Sequence, residues 1–542
     1  MSSVQNPSEI LAQLDDAQQA AVTNLKGPLA IIAGAGSGKT RTISHRIAYG
    51  IATGEYAEGR VLALTYTNRA AAELRSRLRL LGAPGVQVRT FHAAALAQLQ
   101  FFWPQLTESM APKLVTQKAS MVNEVLDDMS IRVSDQERLA LQAEVEYLRY
   151  AMLEIDQYES LERPRLALNA ARFVDFFKRY EQFKQQKRIV DWEDAILLTC
   201  GLLRNETRML SHVQQQYRYF TVDEYQDISP LQQSLLETWL GERDELCVVG
   251  DPRQTIYSFA GATSGYLTGF MNRFPDASVI ELDRNYRSSL EIVELANKIA
   301  PDLPLQAVRQ ISSRPKVMSF SSPSAESTAV AAEIQLLSQT RPLSSIAVLA
   351  RTNSQLIPIE KELQRLGIES QLRGSGRFFR RPDVMQANAA IRALRTMETK
   401  EPLFVEVSKI LSALGWSSQP KKTEGWEALN WFVEVLDELG TPTLDEYLRE
   451  LDDWERSGHE PQREAVTLAT IHGTKGLEWE SVFLVGVNQG IFPIGYAQSD
   501  AEKAEERRLF YVAVTRAQTN LQVSFTKEKG PSEFIALVDN RS

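Results

Sequence analysis

The 542 residues are 43% hydrophobic and 24% charged, a globular balance that excludes wholesale disorder and fits roughly three to four domains of ordinary size. Cys200 and Cys247 are the only cysteines, which excludes a disulfide framework and a Cys-based zinc module, and no apolar run approaches the ~18 residues of a membrane span. The net charge of −9 excludes nucleic-acid binding over the whole surface and confines any such contact to a groove with locally positive or aromatic lining.

Residues 1–16 are polar and acidic, without the apolar core of a secretory signal, so a reduced, cytoplasmic setting is expected. The apolar run 29–32 reads as a buried strand that turns into Ala33-Gly34-Ala35-Gly36-Ser37-Gly38-Lys39-Thr40, followed by a helix over 39–51. A strand over 60–65 and a helix over 68–80 come next, with Ala70, Leu74 and Leu78 on one face. Residues 100–200 are a helical excursion, with amphipathic stretches at 134–153 and 163–186. Alternating strand and helix signals return at 217–260, then at 278–300, 345–370 and 465–525. A second helical interruption lies near 384–464, where 426–454, rich in Trp, Leu and acids, reads as an amphipathic helical pair. The picture is α/β: two lobes, each with a mainly helical insertion.

The glycine-rich string after the first strand is built for a nucleoside triphosphate. Glycines let consecutive backbone N–H groups curl around phosphates, and the next helix offers its positive end to the same anion. Lys39 would reach the β- and γ-phosphates and the Thr40 hydroxyl would ligate Mg²⁺. The strict pattern wants Gly where Ala33 stands, a place a small residue should fill. A Gly-rich turn without nucleotide is the bland alternative. Val222-Asp223-Glu224 ends a second short strand in two carboxylates: Asp223 would hold Mg²⁺, directly or through water, and Glu224 would orient and deprotonate a water. Alone, that triplet reads equally as a strand end with solvated acids.

Further strings occur in a fixed order. They are Leu14-Asp15-Asp16-Ala17-Gln18-Gln19-Ala20, then Leu64-Thr65-Tyr66-Thr67-Asn68-Arg69-Ala70 and Thr90-Phe91-His92-Ala93. Val222-Asp223-Glu224-Tyr225-Gln226-Asp227 precedes Val249-Gly250-Asp251-Pro252-Arg253-Gln254-Thr255-Ile256-Tyr257-Ser258-Phe259 and Leu282-Asp283-Arg284-Asn285-Tyr286-Arg287-Ser288. Thr470-Ile471-His472-Gly473-Thr474-Lys475-Gly476-Leu477-Glu478-Trp479 and Glu505-Glu506-Arg507-Arg508-Leu509-Phe510-Tyr511-Val512-Ala513-Val514-Thr515-Arg516-Ala517 complete the series. Together they resemble the motifs of superfamily 1 DNA helicases of the UvrD/Rep/PcrA type.

The resemblance implies two RecA-like parallel-sheet lobes of a P-loop NTPase, with ATP between them, single-stranded DNA across their top and 3′→5′ movement. It implies a first lobe at 1–99 and 200–277 with an insertion at 100–199. The second lobe would be 278–383 and 465–542, with a short insertion at 384–464. Gln18 would read adenine, Tyr286 would stack on it, Arg41 would flank the base and Glu478 would bind ribose, with Ala33, Gly34, Ala35, Gly36, Ser37, Gly38, Lys39 and Thr40 around the phosphates. Gln254 would sense the γ-phosphate, and Arg287 and Arg516 would stabilise charge on the transferring group. For DNA, Tyr66, Tyr257 and Phe259 occupy the family's aromatic positions, with Asn68 and His92 nearby; core packing is the bland alternative for each ring.

Three departures bear on function. Ala260 stands where the family usually has an Arg thought to link the DNA and ATP sites. The second insertion is short, and no further module is expected after the last motif. The expected activity is ATP- and Mg²⁺-dependent 3′→5′ unwinding in DNA repair or replication, on single-stranded and 3′-tailed or forked duplex DNA. The expected protein is a nucleoid-associated monomer or weak self-associator, away from membranes, with an accessory repair protein as a candidate partner. The rival is a translocase that strips proteins or unwinds only with a partner. A non-motor regulator is disfavoured because Lys39, Thr40, Asp223, Glu224, Gln254, Arg287 and Arg516 are all present.

Overall fold

The computed structural model describes residues 6–107, 109–115, 118–161, 167–374, 378–397, 401–421, 423–440, 442–457, 461 and 463–539. The chain divides into two compact units, Met1–Ala33 with Lys39–Leu282 and Gly34–Gly38 with Asp283–Ser542.

The first unit is built on a six-stranded sheet of β1 (Leu29–Ala33), β2 (Val61–Thr65), β3 (Gln87–Thr90), β4 (Tyr219–Val222), β5 (Leu246–Gly250) and β6 (Ser278–Leu282), in the order β3-β2-β4-β5-β1-β6. Every pairing is parallel. Helices cover both faces of such a sheet, so its central strands are near-continuous apolar runs; all five residues of β2 and of β5 are buried. The helices Lys39–Ala52 and Asn68–Leu80 agree with the periodicity to within a residue. The strand Ser278–Leu282, expected in the second lobe, instead pairs with β1 from Leu29↔Ser278 to Ala33↔Leu282, so the unit boundary falls at Asp283. It is an edge strand with only Leu282 buried.

The expected insertion at 100–199 is narrower. The helix Phe91–Thr107 runs past residue 99 and adds Phe102 to the sheet's core, as Trp192–Asn205 adds Ile196 and Cys200. Between them, Met121, Val145, Leu148, Phe173, Phe176 and Tyr180 form a separate helical core. The helix expected from residue 163 is Ala170–Lys187, because Asn169 caps it by accepting from Arg172 N–H at 2.9 Å; residues 162–166 lie outside the described set. Buried lysines fasten this core to the N-terminus of Trp192–Asn205. Lys184 Nζ meets Asp194 Oδ2 at 2.6 Å and Asp191 Oδ2 at 3.0 Å, and Lys118 Nζ meets Glu193 Oε2 at 2.6 Å.

The second unit holds another all-parallel sheet. Its strands are β7 (Lys316–Phe320), β8 (Ile346–Ala350), β9 (Ser370–Leu372), β10 (Val466–Thr470), β11 (Trp479–Leu484) and β12 (Ala517–Thr526), in the order β7-β12-β11-β8-β10-β9. Two six-stranded parallel sheets are the RecA-like lobes the motif series implies. Between β9 and β10 lie helices Pro382–Ala393, Leu403–Ala413, Glu424–Leu439 and Leu444–Ser457, the last two being the amphipathic pair expected over 426–454. Their core carries several aromatic rings among aliphatic side chains, Phe378, Trp431, Phe432 and Tyr447 among them, with the Trp431 and Trp454 ring centroids 5.7 Å apart.

Candidate nucleotide and nucleic-acid sites

Parallel sheets present binding groups at the carboxyl ends of their strands, and the first unit's candidates stand there. β1 ends at Ala33, and its carbonyl accepts from Lys39 Nζ at 3.1 Å. The intervening loop needs its glycines: Gly36 and Gly38 have φ of +69° and +83°. A Cβ on Gly36 would also lie 2.7 Å from the Cβ of Arg287. Ser37 Oγ donates to Gly34 O at 2.8 Å, which tightens the turn. Thr40 sits in the first helical turn.

β4 delivers Asp223, whose N–H donates to Leu64 O at 2.8 Å. Burial pushes its carboxyl up to about 7; the Glu224 charge adds to this and Lys39 opposes it. Glu224 has left-handed φ (+52°), a strained conformation for a non-glycine residue; its N–H donates to Asp223 Oδ1 at 2.9 Å. β5 delivers Asp251, whose carboxyl behaves oppositely. Burial would raise it, but the Arg253 and Lys39 charges outweigh burial and hold it below the usual range. Gln254 is buried and donates Nε2 to Asp251 Oδ2 at 2.8 Å. Gln18 completes a capping box: Asp15 Oδ1 accepts from its N–H at 2.8 Å, and its Oε1 accepts from Asp15 N–H at 3.3 Å. Arg41 Nη2 donates to Gln13 O at 2.7 Å.

In the second unit, Asn285 Nδ2 donates to Ala35 O at 2.7 Å and Tyr286 N–H to Gly36 O at 2.9 Å, so the glycine loop is latched to the segment that carries Arg287. The Tyr286 ring is 40% exposed. Arg287 ion-pairs with Glu478 and donates Nη1 to Thr515 O at 3.3 Å, while Glu478 Oε1 also accepts from Gln518 Nε2 at 2.9 Å. Arg516 is among the largest wholly buried side chains. It donates to Val512 O at 3.0 Å, Leu477 O at 2.9 Å and Thr515 Oγ1 at 3.2 Å, which fixes the guanidinium plane.

The candidate DNA-contacting rings also belong to the first unit. Tyr66 lies just past β2 and stacks on Tyr257, with centroids 5.5 Å apart and planes 15° from parallel; Phe259 stands 6.2 Å from Tyr257. Tyr66 is 38% and Phe259 61% exposed, which is inconsistent with the core-packing alternative for these two. Asn68 begins a helix that Thr67 caps. His92 Nε2 hydrogen-bonds the Tyr150 hydroxyl at 3.0 Å, and its ring stands edge-on to Tyr150 and Trp192. Tyr150 and Trp192 carried no local signal, since Tyr150 lies 58 residues from His92. Gln226, Asp251, Asn285 and Gln518 lie in or beside the motif strings, but only the fold shows what they touch.

The UvrD/REP helicase N-terminal domain family matches residues 14–275, and the UvrD-like helicase C-terminal domain family matches 280–403 and 393–528. The chain is similar to ATP-dependent DNA helicase UvrD2 of Mycobacterium tuberculosis (strain ATCC 25618 / H37Rv), 38% identical over 96% of this chain and 80% of the relative. ATP-dependent DNA helicase PcrA of Bacillus subtilis (strain 168) is 26% identical over 96% of this chain and 84% of its own. ATP-dependent DNA helicase Rep of Escherichia coli (strain K12) is 26% identical over 95% and 91%.

Proposed function

Because the chain belongs to the UvrD/Rep helicase family, we propose that it is an ATP-dependent DNA helicase that moves 3′→5′ on single strands and opens 3′-tailed or forked duplexes. One observation carries this reading. Lys39, Asp223, Glu224 and Gln254 stand at the ends of the first unit's central strands, and just beyond Gln254 begins the Tyr257–Phe259 group that stacks with Tyr66. Groups suited to a triphosphate and rings suited to bases therefore share one short segment.

In this reading the loop Gly34–Gly38 and Lys39 hold the phosphates. Glu224 accepts the proton of the water whose oxygen attacks the γ-phosphorus as the bond to the bridging β–γ oxygen breaks. Gln254 senses the γ-phosphate, and Arg287 and Arg516 supply fixed positive charge to the transferring group. Gln18, Arg41 and Tyr286 serve the base and Glu478 the ribose. Thr40 and Asp223 are hard oxygen donors, and a buried carboxyl raised to about 7 is one that a divalent cation would relieve, so the pair fits Mg²⁺. Bound there, Mg²⁺ would offset phosphate charge. Tyr66, Tyr257 and Phe259 stack bases, with Asn68 and His92 beside the strand.

We place this activity in DNA repair or replication at the nucleoid, with the protein acting as a monomer or weak self-associator and an accessory repair protein as a candidate partner. Among the described residues no helix is long and apolar enough to cross a membrane. A translocase that needs a partner to unwind is the second reading, favoured by the compact aromatic insertion that runs from Phe378 to Trp454. Strand displacement on a short duplex with a 3′ tail, beside a 5′-tailed control and Lys39→Ala, tests both. Displacement confined to the 3′-tailed substrate is expected. DNA-stimulated ATP hydrolysis without displacement would leave the translocase.

A further inference from the structure

Glu224 makes a hydrogen bond that its role as proton acceptor does not by itself require. Gln226, fully buried in the turn Tyr225–Asp227, donates Nε2 to Glu224 Oε2 at 2.5 Å and to Asp227 Oδ2 at 3.3 Å. Its Oε1 accepts from Asp251 N–H at 3.0 Å. That contact fixes the amide's orientation: a backbone N–H can only donate, so the oxygen faces Asp251 and the NH₂ faces the two carboxylates. The site is shaped for this carboxamide. A Cβ on Gly250 would overlap Gln226 Oε1, so the glycine before Asp251 is what lets the amide reach the β5 backbone. Thr255 Oγ1, beyond Asp251, donates to Gln226 O at 3.4 Å.

Each neighbour of this amide leads elsewhere. Asp251 holds Gln254 through its carboxylate. Gln226 O accepts from Thr255, two residues before Tyr257, so the turn is tied to the segment that carries the rings; the Asp227 charge is one of the causes, after burial, that raise the Tyr66 and Tyr257 hydroxyls. One NH₂ group is therefore shared between the carboxylates of Glu224 and Asp227, in a turn that the Thr255 hydroxyl ties to the ring-bearing segment.

We infer that Gln226 is a positioning residue that links the aromatic DNA platform to Glu224, sharing its NH₂ between Asp227 and Glu224 so that strand binding sets the orientation of the proton acceptor. This rests on the proposed role of Glu224. A base that displaces Tyr257 moves the segment that carries Thr255, the Gln226 turn held by the Thr255 hydroxyl moves with it, and Glu224, bound to the shared amide, turns in response. Gln226 is wholly buried, so its loss acts on the rate and on DNA stimulation, leaving binding intact.

The test is steady-state ATP hydrolysis with and without oligo-dT for the wild type, Gln226→Met, Gln226→Glu and Glu224→Gln. Gln226→Met keeps the length and removes the donor; Gln226→Glu keeps the acceptor for Asp251 N–H and sets a third carboxylate against two others. Both should lower the ratio of DNA-stimulated to basal kcat by about tenfold, the scale of losing an oriented acceptor, with KM for ATP and Kd for oligo-dT within about threefold. In a Glu224→Gln background, single-turnover hydrolysis should be insensitive to Gln226→Met, because the group being positioned is gone. A wild-type stimulation ratio in a folded Gln226→Met protein overturns the inference, as do equal losses in basal and stimulated rates or a parallel rise in KM. Should one variant not fold, the other decides by the same ratio. Wild-type turnover in Glu224→Gln would instead overturn the proton-acceptor role, whatever the Gln226 variants do.

Discussion

The two sheets have the same size and the same parallel pairing, yet the residues just past their central strands are opposite in chemistry. After β1 comes a run of glycines and Lys39, with backbone available to an anion. After β8 comes Arg351, whose guanidinium is bound to Glu506 at 2.7 Å, and then Thr352 in a capping box with Gln355. Side chains fill after β8 the place that bare backbone occupies after β1. The acids differ too: Asp223 and Asp251 end strands of the first sheet, whereas the second unit offers Arg287 and Arg516, held by a carboxylate and by carbonyls. A parallel sheet supplies strand ends, and the residues placed on them decide what chemistry the unit offers.

The largest expected effect breaks the first side of that contrast. Lys39→Ala or Glu224→Gln should lower DNA-stimulated turnover by about 10²–10⁴-fold, the usual span for an oriented proton acceptor or a fixed cation on phosphate, while single-strand affinity stays within about threefold. Turnover of purified variants, with fluorescence anisotropy of a labelled oligonucleotide, reads both quantities. A loss of affinity equal to the loss of rate would mean that the two functions are not separable within the first unit.

A smaller effect breaks the second side. Glu506 is nearly buried, and besides Arg351 it accepts from Ile494 N–H at 3.0 Å. Glu506→Ala takes the carboxylate from a largely buried guanidinium and should cost about 3 kcal/mol of unfolding free energy in urea, the low end of a buried-pair penalty. Breaking an exposed ion pair, Lys409 with Glu401, should change stability far less. Equal costs at the two sites would show that the plug after β8 is decorative.

What could be read before folding divides along the same line. The strands, the glycine loop and most helices come from local patterns: apolar runs, period-3.6 faces, and caps such as Asp15 with Gln18. The strand Ser278–Leu282 was legible as a strand but not as an edge of the first sheet. Its Val-Ile-Glu-Leu run says nothing about a neighbour that lies far back in the chain at Leu29–Ala33. Gln226 and Gly250 stood in view within the motif strings, yet the reason for each is the other, and that pairing exists only once β4 and β5 lie side by side. Tyr150 was illegible, because a helical core of its own separates it in sequence from His92.

The smallest effect comes from the strand beside β8. His472, just past β10, is pushed down to about 4 by burial and then by the charge of Arg351. The folded protein therefore keeps it neutral where the unfolded chain, with an ordinary value of 6.5, takes up a proton. Between about pH 6.5 and 4 the unfolded state binds more protons, so stability falls as pH falls through that window; above it both states are neutral and the term is flat. The ceiling is about 3 kcal/mol at the acid end, less whatever water near a partly exposed ring screens. Urea unfolding of the wild type and His472→Gln at pH 7.5, 6 and 5 isolates this term, because other acids cancel in the difference. The variant should gain on the wild type as the pH drops, and a constant difference would mean the imidazole titrates alike in both states. In Glu506→Ala the Arg351 charge loses its counterion and bears harder on His472, so the same comparison there should steepen. That dependence makes the plug after β8 measurable at a residue that takes no part in it.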